Sequence, residues 1–145
     1  MTNQIPGLQT LVALYEEALG TSADPDFDTA SYLSPFVEAG QIVMGTKRQG
    51  GEESHFGFAI WAKVARETHD ALADGTLDPR KGGKDALEDG PMAWIVDLVC
   101  PPALADTFLK STTAALFPEQ PVMARLLDQN GAARCIVAQQ PTPYV

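Results

Sequence analysis

The segment Trp94-Ile95-Val96-Asp97-Leu98-Val99-Cys100-Pro101 constrains this chain most, because an apolar run of this length, stopped by two prolines, reads as a buried strand. Such a strand needs packed layers on its faces, so the chain must build a sheet with helices lying against it. One carboxylate, Asp97, sits inside the run. Left ionised and unpaired there it would cost several kcal/mol, so it must be hydrogen-bonded, paired or protonated. Asp97 is therefore a candidate functional residue. It is equally a candidate structural acid, held by backbone donors or by an arginine such as Arg125.

A chain of 145 residues supports one domain with a real core, expected over residues 1–145. No apolar run approaches the roughly 18 residues of a membrane span, and the first residues lack a basic cluster followed by an apolar stretch, so neither a span nor a secretory signal is expected. Cys100 and Cys135 lie far apart without CxxC spacing, which argues against a disulfide framework and against a zinc site. These features fit a cytoplasmic protein. The net charge of −9 disfavours nucleic acid and anionic membrane as partners, since both bind basic surfaces.

Helical spacing of Leu8, Leu11, Val12, Tyr15 and Leu19 predicts a first helix ending at Gly20. Asp24, Asp26 and Asp28 alternate like the start of a calcium loop, but Thr29 and Pro35 stand where an EF-hand needs glycine and a carboxylate. Asp28 instead reads as the N-cap of a second helix that reaches about Ala39, is interrupted or restarted at Pro35, and is closed by Gly40. Residues 41–47 and 54–62 form a hairpin around a polar turn at 49–53, and residues 63–73 a helix ended by Asp74-Gly75. Residues 75–90, with Arg80, Lys81 and Lys84, read as a mobile surface loop. The strand 92–100 follows, then a helix over 103–116. Strands at 122–127 and 134–138 then flank Asn130-Gly131, a hairpin turn signal. This order predicts an α/β layer structure with a mixed, mostly antiparallel sheet flanked by helices.

Phe58-Ala59-Ile60-Trp61-Ala62, Gly90-Pro91-Met92-Ala93-Trp94-Ile95-Val96-Asp97, Val99-Cys100-Pro101, Leu116-Phe117-Pro118 and Arg125-Leu126-Leu127-Asp128 together resemble motifs of the toxin-activating lysine acyltransferases that modify RTX protoxins. The resemblance spans about residues 8 to 138, with its specific motifs between 58 and 101. It implies a single-domain GNAT-like acyltransferase fold. It also implies transfer of a fatty acyl group from acyl carrier protein to internal lysines of an RTX protoxin, by a histidine and an aspartate. Asp97 matches that aspartate. The histidine belongs in the loop after the first helix, and residues 20–28 contain none. Pro91, Leu87 and Ala103 also depart from the pattern, standing where aspartate, tryptophan and glycine are expected.

Acyl transfer to lysine needs a base for the ammonium and donors for the developing oxyanion. His55, on the strand leading to Trp61, is the substitute base put forward beside Asp97; His69, Asp24 and Asp26 are further candidates. Strand alternation puts His55 on the face of Gly57, Ala59 and Trp61. Trp61 and Trp94 read either as core aromatics or as the walls of an acyl-chain pocket. Cys100 reads as an inert buried thiol. No metal is expected, and no bound cofactor: the nearest approach to the pyrophosphate-cradling loop of coenzyme A enzymes, Arg80-Lys81-Gly82-Gly83-Lys84-Asp85, ends in aspartate and does not directly follow the central strand. Arg80 and Lys81, with Lys84, Lys63 and Arg66, offer a basic patch for an acidic acyl carrier protein. Beyond the carrier, the partners expected are an RTX protoxin or other protein acceptor, with a homodimer compatible with the chain. A different reading, a non-catalytic relative that binds an acyl group, a carrier or a protein, is favoured by the missing histidine.

Overall fold

A computed structural model describes residues 7–19, 28–79, 90–127 and 133–140. Among them are helices α1 (Leu8–Leu19), α2 (Thr29–Ala39), α3 (Arg66–Asp74) and α4 (Ala105–Leu116), the last preceded by a 3-10 turn at Pro102–Leu104. The strands are β1 (Ile42–Gln49), β2 (Glu52–Val64), β3 (Met92–Val99), β4 (Val122–Leu127) and β5 (Ala133–Gln139). They form one sheet in the order β1-β2-β3-β4-β5, antiparallel except for the β3–β4 pair, which α4 connects as a crossover. The arrangement is compatible with a single-domain GNAT-like fold.

Local signals place most elements. Asp28 caps α2: its Oδ1 accepts from the amides of Ala30 and Ser31 at 3.1 and 3.3 Å, and its Oδ2 from the Ser31 hydroxyl at 2.8 Å. These bonds hold its carboxyl below the usual range. Gly40 ends the helix in the left-handed region at φ 71°. Contrary to the expected break, α2 runs through Pro35 without interruption. Tyr32, Leu33 and Phe36, buried on its inner face, hold the helix on the sheet across that proline. The β1–β2 turn is also shorter than expected. Gly50 and Gly51 both have positive φ, so two residues suffice and pairing extends to Gln49 and Glu52. Residues 80–89 of the predicted 75–90 loop, and the Asn130-Gly131 turn, lie outside the described residues.

Two apolar layers result. On one face Leu11, Tyr15, Leu33, Phe36 and Leu72 from α1, α2 and α3 pack on Phe58, Ile60, Ala62, Val64, Trp94, Val96 and Val99. On the other, Phe108 and Leu109 of α4, with Phe117, pack on Ala59, Ala93, Ile95, Val122 and Ala124. The alternation is what a strand buried on both sides requires. Within β3 it slips at one place: Ile60 pairs with Asp97 and Trp61 with Ile95, leaving Val96 as an extra residue. Asp97 is thereby turned onto the α2 face, beside Val96, where unbroken alternation would have sent it to the α4 face.

Gly57 marks where backbone meets backbone. A Cβ there would overlap the carbonyl oxygen of Val99 and approach the Cβ of Cys100 to 2.8 Å. Gly40, by contrast, has open space and only its positive φ to protect. Gly57→Ala is expected to lower stability by at least about 1–3 kcal/mol through overpacking. Gly40→Ala is expected to cost about 1 kcal/mol through backbone strain. Urea unfolding midpoints of the two variants would give that ranking.

Candidate active site

Asp97 is 1% exposed and both of its oxygens are engaged. Oδ2 accepts from the Tyr32 hydroxyl of α2, and Oδ1 accepts from Nη1 of Arg125 on β4 at 3.0 Å. The second terminal nitrogen of Arg125 donates to Oδ1 of Asp78 at 3.1 Å. One guanidinium thus bridges two carboxylates, and its side chain is only 4% exposed. Burial pushes the Tyr32 phenol well above the usual tyrosine range, and the Asp97 charge adds to that shift.

Each partner is delivered by ordinary local structure. Arg125 shares the face of Met123 by strand alternation and lies opposite Cys135 of β5. The β3–β4 ladder runs from Ala93–Val122 to Ile95–Ala124 and stops, although both strands continue. The Asp97–Arg125 bond therefore joins the strands just beyond the point where backbone pairing ends. Asp78 is set by the end of α3. Gly75 adopts φ 83°, the Leu77 amide donates back to the Ala71 carbonyl at 3.1 Å, and Leu77 packs into the core.

Arg125 and Asp78 line an open cleft of about 440 Å³, together with Leu72, Asp74, Arg134 and Cys135. Cys135 donates weakly to the Leu72 carbonyl at 3.3 Å, and burial pushes its thiol up, opposed by Arg125. The Asp74 carboxylate accepts from the amide and hydroxyl of Thr76 at 2.9 and 2.7 Å, which holds its carboxyl below the usual range. On the α4 face lies a second groove of about 460 Å³, lined by Val43, Phe56, Phe108 and Ser111 among others. Among the described residues, no group of three histidine, cysteine or carboxylate side chains could hold a metal ion.

The other residues singled out in the sequence are dispersed. His55 is exposed on the outer half of β2, paired with Thr46, on the order of 15 Å along the strand from Ile60, the partner of Asp97. The register slips at Phe56, so alternation does not carry from Ala59 to His55. Trp94 is fully buried on the α2 face and donates its Nε1 proton to Nδ1 of His69 at 2.9 Å. That bond requires the His69 tautomer protonated on Nε2, so its lone pair is taken up by the indole. Trp61 is half-buried on the opposite face, edge-on to Phe117 at 5.9 Å. The two indoles are therefore separated by the sheet. Cys100 is half-buried, and burial pushes its thiol up. Arg80, Lys81, Asp24 and Asp26 lie outside the described residues.

Tyr32 and Asp78 had no distinguishing signal. Tyr32 falls in the apolar stripe of α2, and Asp78 is one of several charges in a glycine-containing segment. Arg125 was legible as an available cation for Asp97, and it is the residue found there.

Two measurements follow from this network. Arg125→Met leaves a buried carboxylate without its cation and is expected to cost about 3–5 kcal/mol, with part recovered on adding Asp97→Asn. Because the folded-state pKa of Tyr32 is raised, its contribution to stability is complete below the unfolded value of about 10 and is lost as pH rises through the folded value. Tyr32→Phe should therefore show a shallower loss of stability above pH 10, by up to about 1.4 kcal/mol per pH unit, in denaturant titrations at stepped pH.

Over residues 8–140, nearly the whole chain, the sequence matches the model of HlyC, the RTX toxin acyltransferase family. No curated protein matches it.

Proposed function

Because the chain belongs to the RTX toxin acyltransferase family, which implies RTX toxin acyltransferase activity, we propose that it carries a fatty acyl group from acyl carrier protein to internal lysines of an RTX protoxin in the cytoplasm. The observation that carries this reading is Asp97. It is the aspartate of the Trp94-Ile95-Val96-Asp97 motif, turned by a bulge into a hydrogen-bonded network that reaches an open cleft through Arg125 and Asp78. Among the described residues no helix is long and apolar enough to cross a membrane.

The chemistry sets the roles. A lysine ammonium titrates near 10.4 in water, so a base must take its proton before the amine attacks the thioester carbon. Asp97 orients and electrostatically balances that machinery, with no direct contact to the acyl group, since both its oxygens are bonded and it is buried. His55 remains the base proposed from the sequence, although its place in the β1–β2 ladder leaves it outside the cleft. Trp61 lies across the sheet from the cleft, against Phe117, so the acyl chain in this reading does not rest on it; Trp94 supports the site from within the core. Arg80 and Lys81 meet the acidic carrier.

A second reading, a non-catalytic member that binds an acyl group, a carrier or a protein, is favoured by one observation: residues 20–28 contain no histidine. One experiment separates the two. Purified protein is mixed with acyl-carrier thioesters of several chain lengths and an RTX protoxin that a histidine-containing relative acylates, and intact mass is read. The transferase reading expects lysine acylation that falls at least about a hundredfold in Asp97→Asn. No acylation where the relative succeeds would overturn the transferase reading and favour the binding one.

A further inference from the structure

Asp97 carries the family's motif, yet a molecule in the cleft meets a different residue. Asp97 and Tyr32 are buried behind Arg125 and Asp78, which line the cleft wall. The guanidinium of Arg125 has five N–H donors in a fixed plane. One on each terminal nitrogen is used, toward Asp97 and Asp78, at 3.0 and 3.1 Å. Among the described residues the other three have no partner, on a side chain that is anchored at both ends, lines the cleft and is 4% exposed. Held this way, the fork cannot swing, so a substrate atom meets donors whose positions are set in advance.

Resting on the acyl-transfer reading above, we propose that Arg125 is the oxyanion donor of this site and that Asp97 and Asp78 are the positioning residues that aim it. The reacting oxygen is the carbonyl oxygen of an acyl thioester on a pantetheine-type thiol. As the neutral lysine nitrogen bonds to the carbonyl carbon, the carbonyl π pair moves onto oxygen, where an Arg125 N–H receives it. Collapse re-forms the C=O bond and breaks the C–S bond. The sulfur leaves with the electron pair and takes up the proton that the nitrogen gives up, so thioester and amine become amide and thiol. A buried ion triad adds little net stability compared with an apolar core. Its two carboxylates find a use in fixing one cation against a cleft.

The test uses the full chain and two readouts. In the acylation assay, Arg125→Lys keeps the charge but loses the planar fork. The expected result is a kcat lower by about 10²–10³ with KM unchanged, as for removal of a donor that acts only in the transition state. In the wild-type chain, nitrogen-15 NMR of the Arg125 guanidinium follows addition of an acyl-pantetheine analogue in which a ketone replaces the thioester. The expected result is a shift of the Arg125 signals that the matching thioether, lacking the carbonyl, does not cause. Wild-type protein that transfers no acyl group but shows the ketone-specific shift would end the activity reading while supporting the donor assignment. Arg125→Lys with undiminished kcat, or Arg125 signals that respond equally to ketone and thioether, would reduce Arg125 to a tether between β3, β4 and the segment after α3.

Discussion

The bond from Arg125 to Asp97 is the constraint around which the molecule is arranged. It joins β3 to β4 where their backbone ladder has ended, so a side-chain pair continues the connection that peptide groups no longer make. Two charges buried this deeply are stable only if each finds further partners. Tyr32 supplies one from α2 and Asp78 another from the segment after α3. Four elements far apart in sequence are thereby held to one point, and that point opens on a cleft.

A single extra residue makes the arrangement available. Val96 has no partner of its own in β2, and the slip places Asp97 on the same face as Ile60, under α2. Without it the carboxylate would face the α4 layer of Phe108, Leu109 and Phe117, which offers no donor of comparable strength. The same two-layer geometry separates Trp61 from Trp94, so an acyl chain against one cannot touch the other. Trp94, bonded to His69, instead links β3 to α3, the helix whose end delivers Asp78.

Much of the fold was legible in the sequence because its signals are local. The Asp28 cap, the Gly40 and Gly75 stops, and the apolar run of β3 each act through neighbours within a turn or a strand. Two local readings needed correction, one because a tertiary contact overrode it and one because an adjacent glycine pair itself makes a tighter turn. The inner face of α2 carried the helix through Pro35, and two glycines shortened the hairpin turn. Asp97 could be marked as an acid needing a partner, and Arg125 as one cation able to serve, because burying a charge has a cost that does not depend on the fold.

By itself the sequence determined the order of elements, the presence of a doubly buried strand and the necessity of a partner for Asp97; its motifs also placed it within an acyltransferase family. The tertiary structure decided which donors meet that carboxylate, that Asp78 shares its cation, that His55 stands far from it and that Arg125 faces the cleft. The division has a physical reason. Propensity, capping and burial act over a few residues and are written in adjacent letters. A bulge, a strand register and a convergence of side chains from α2, β3, β4 and the segment after α3 depend on how distant surfaces pack, and no local stretch of chain encodes them.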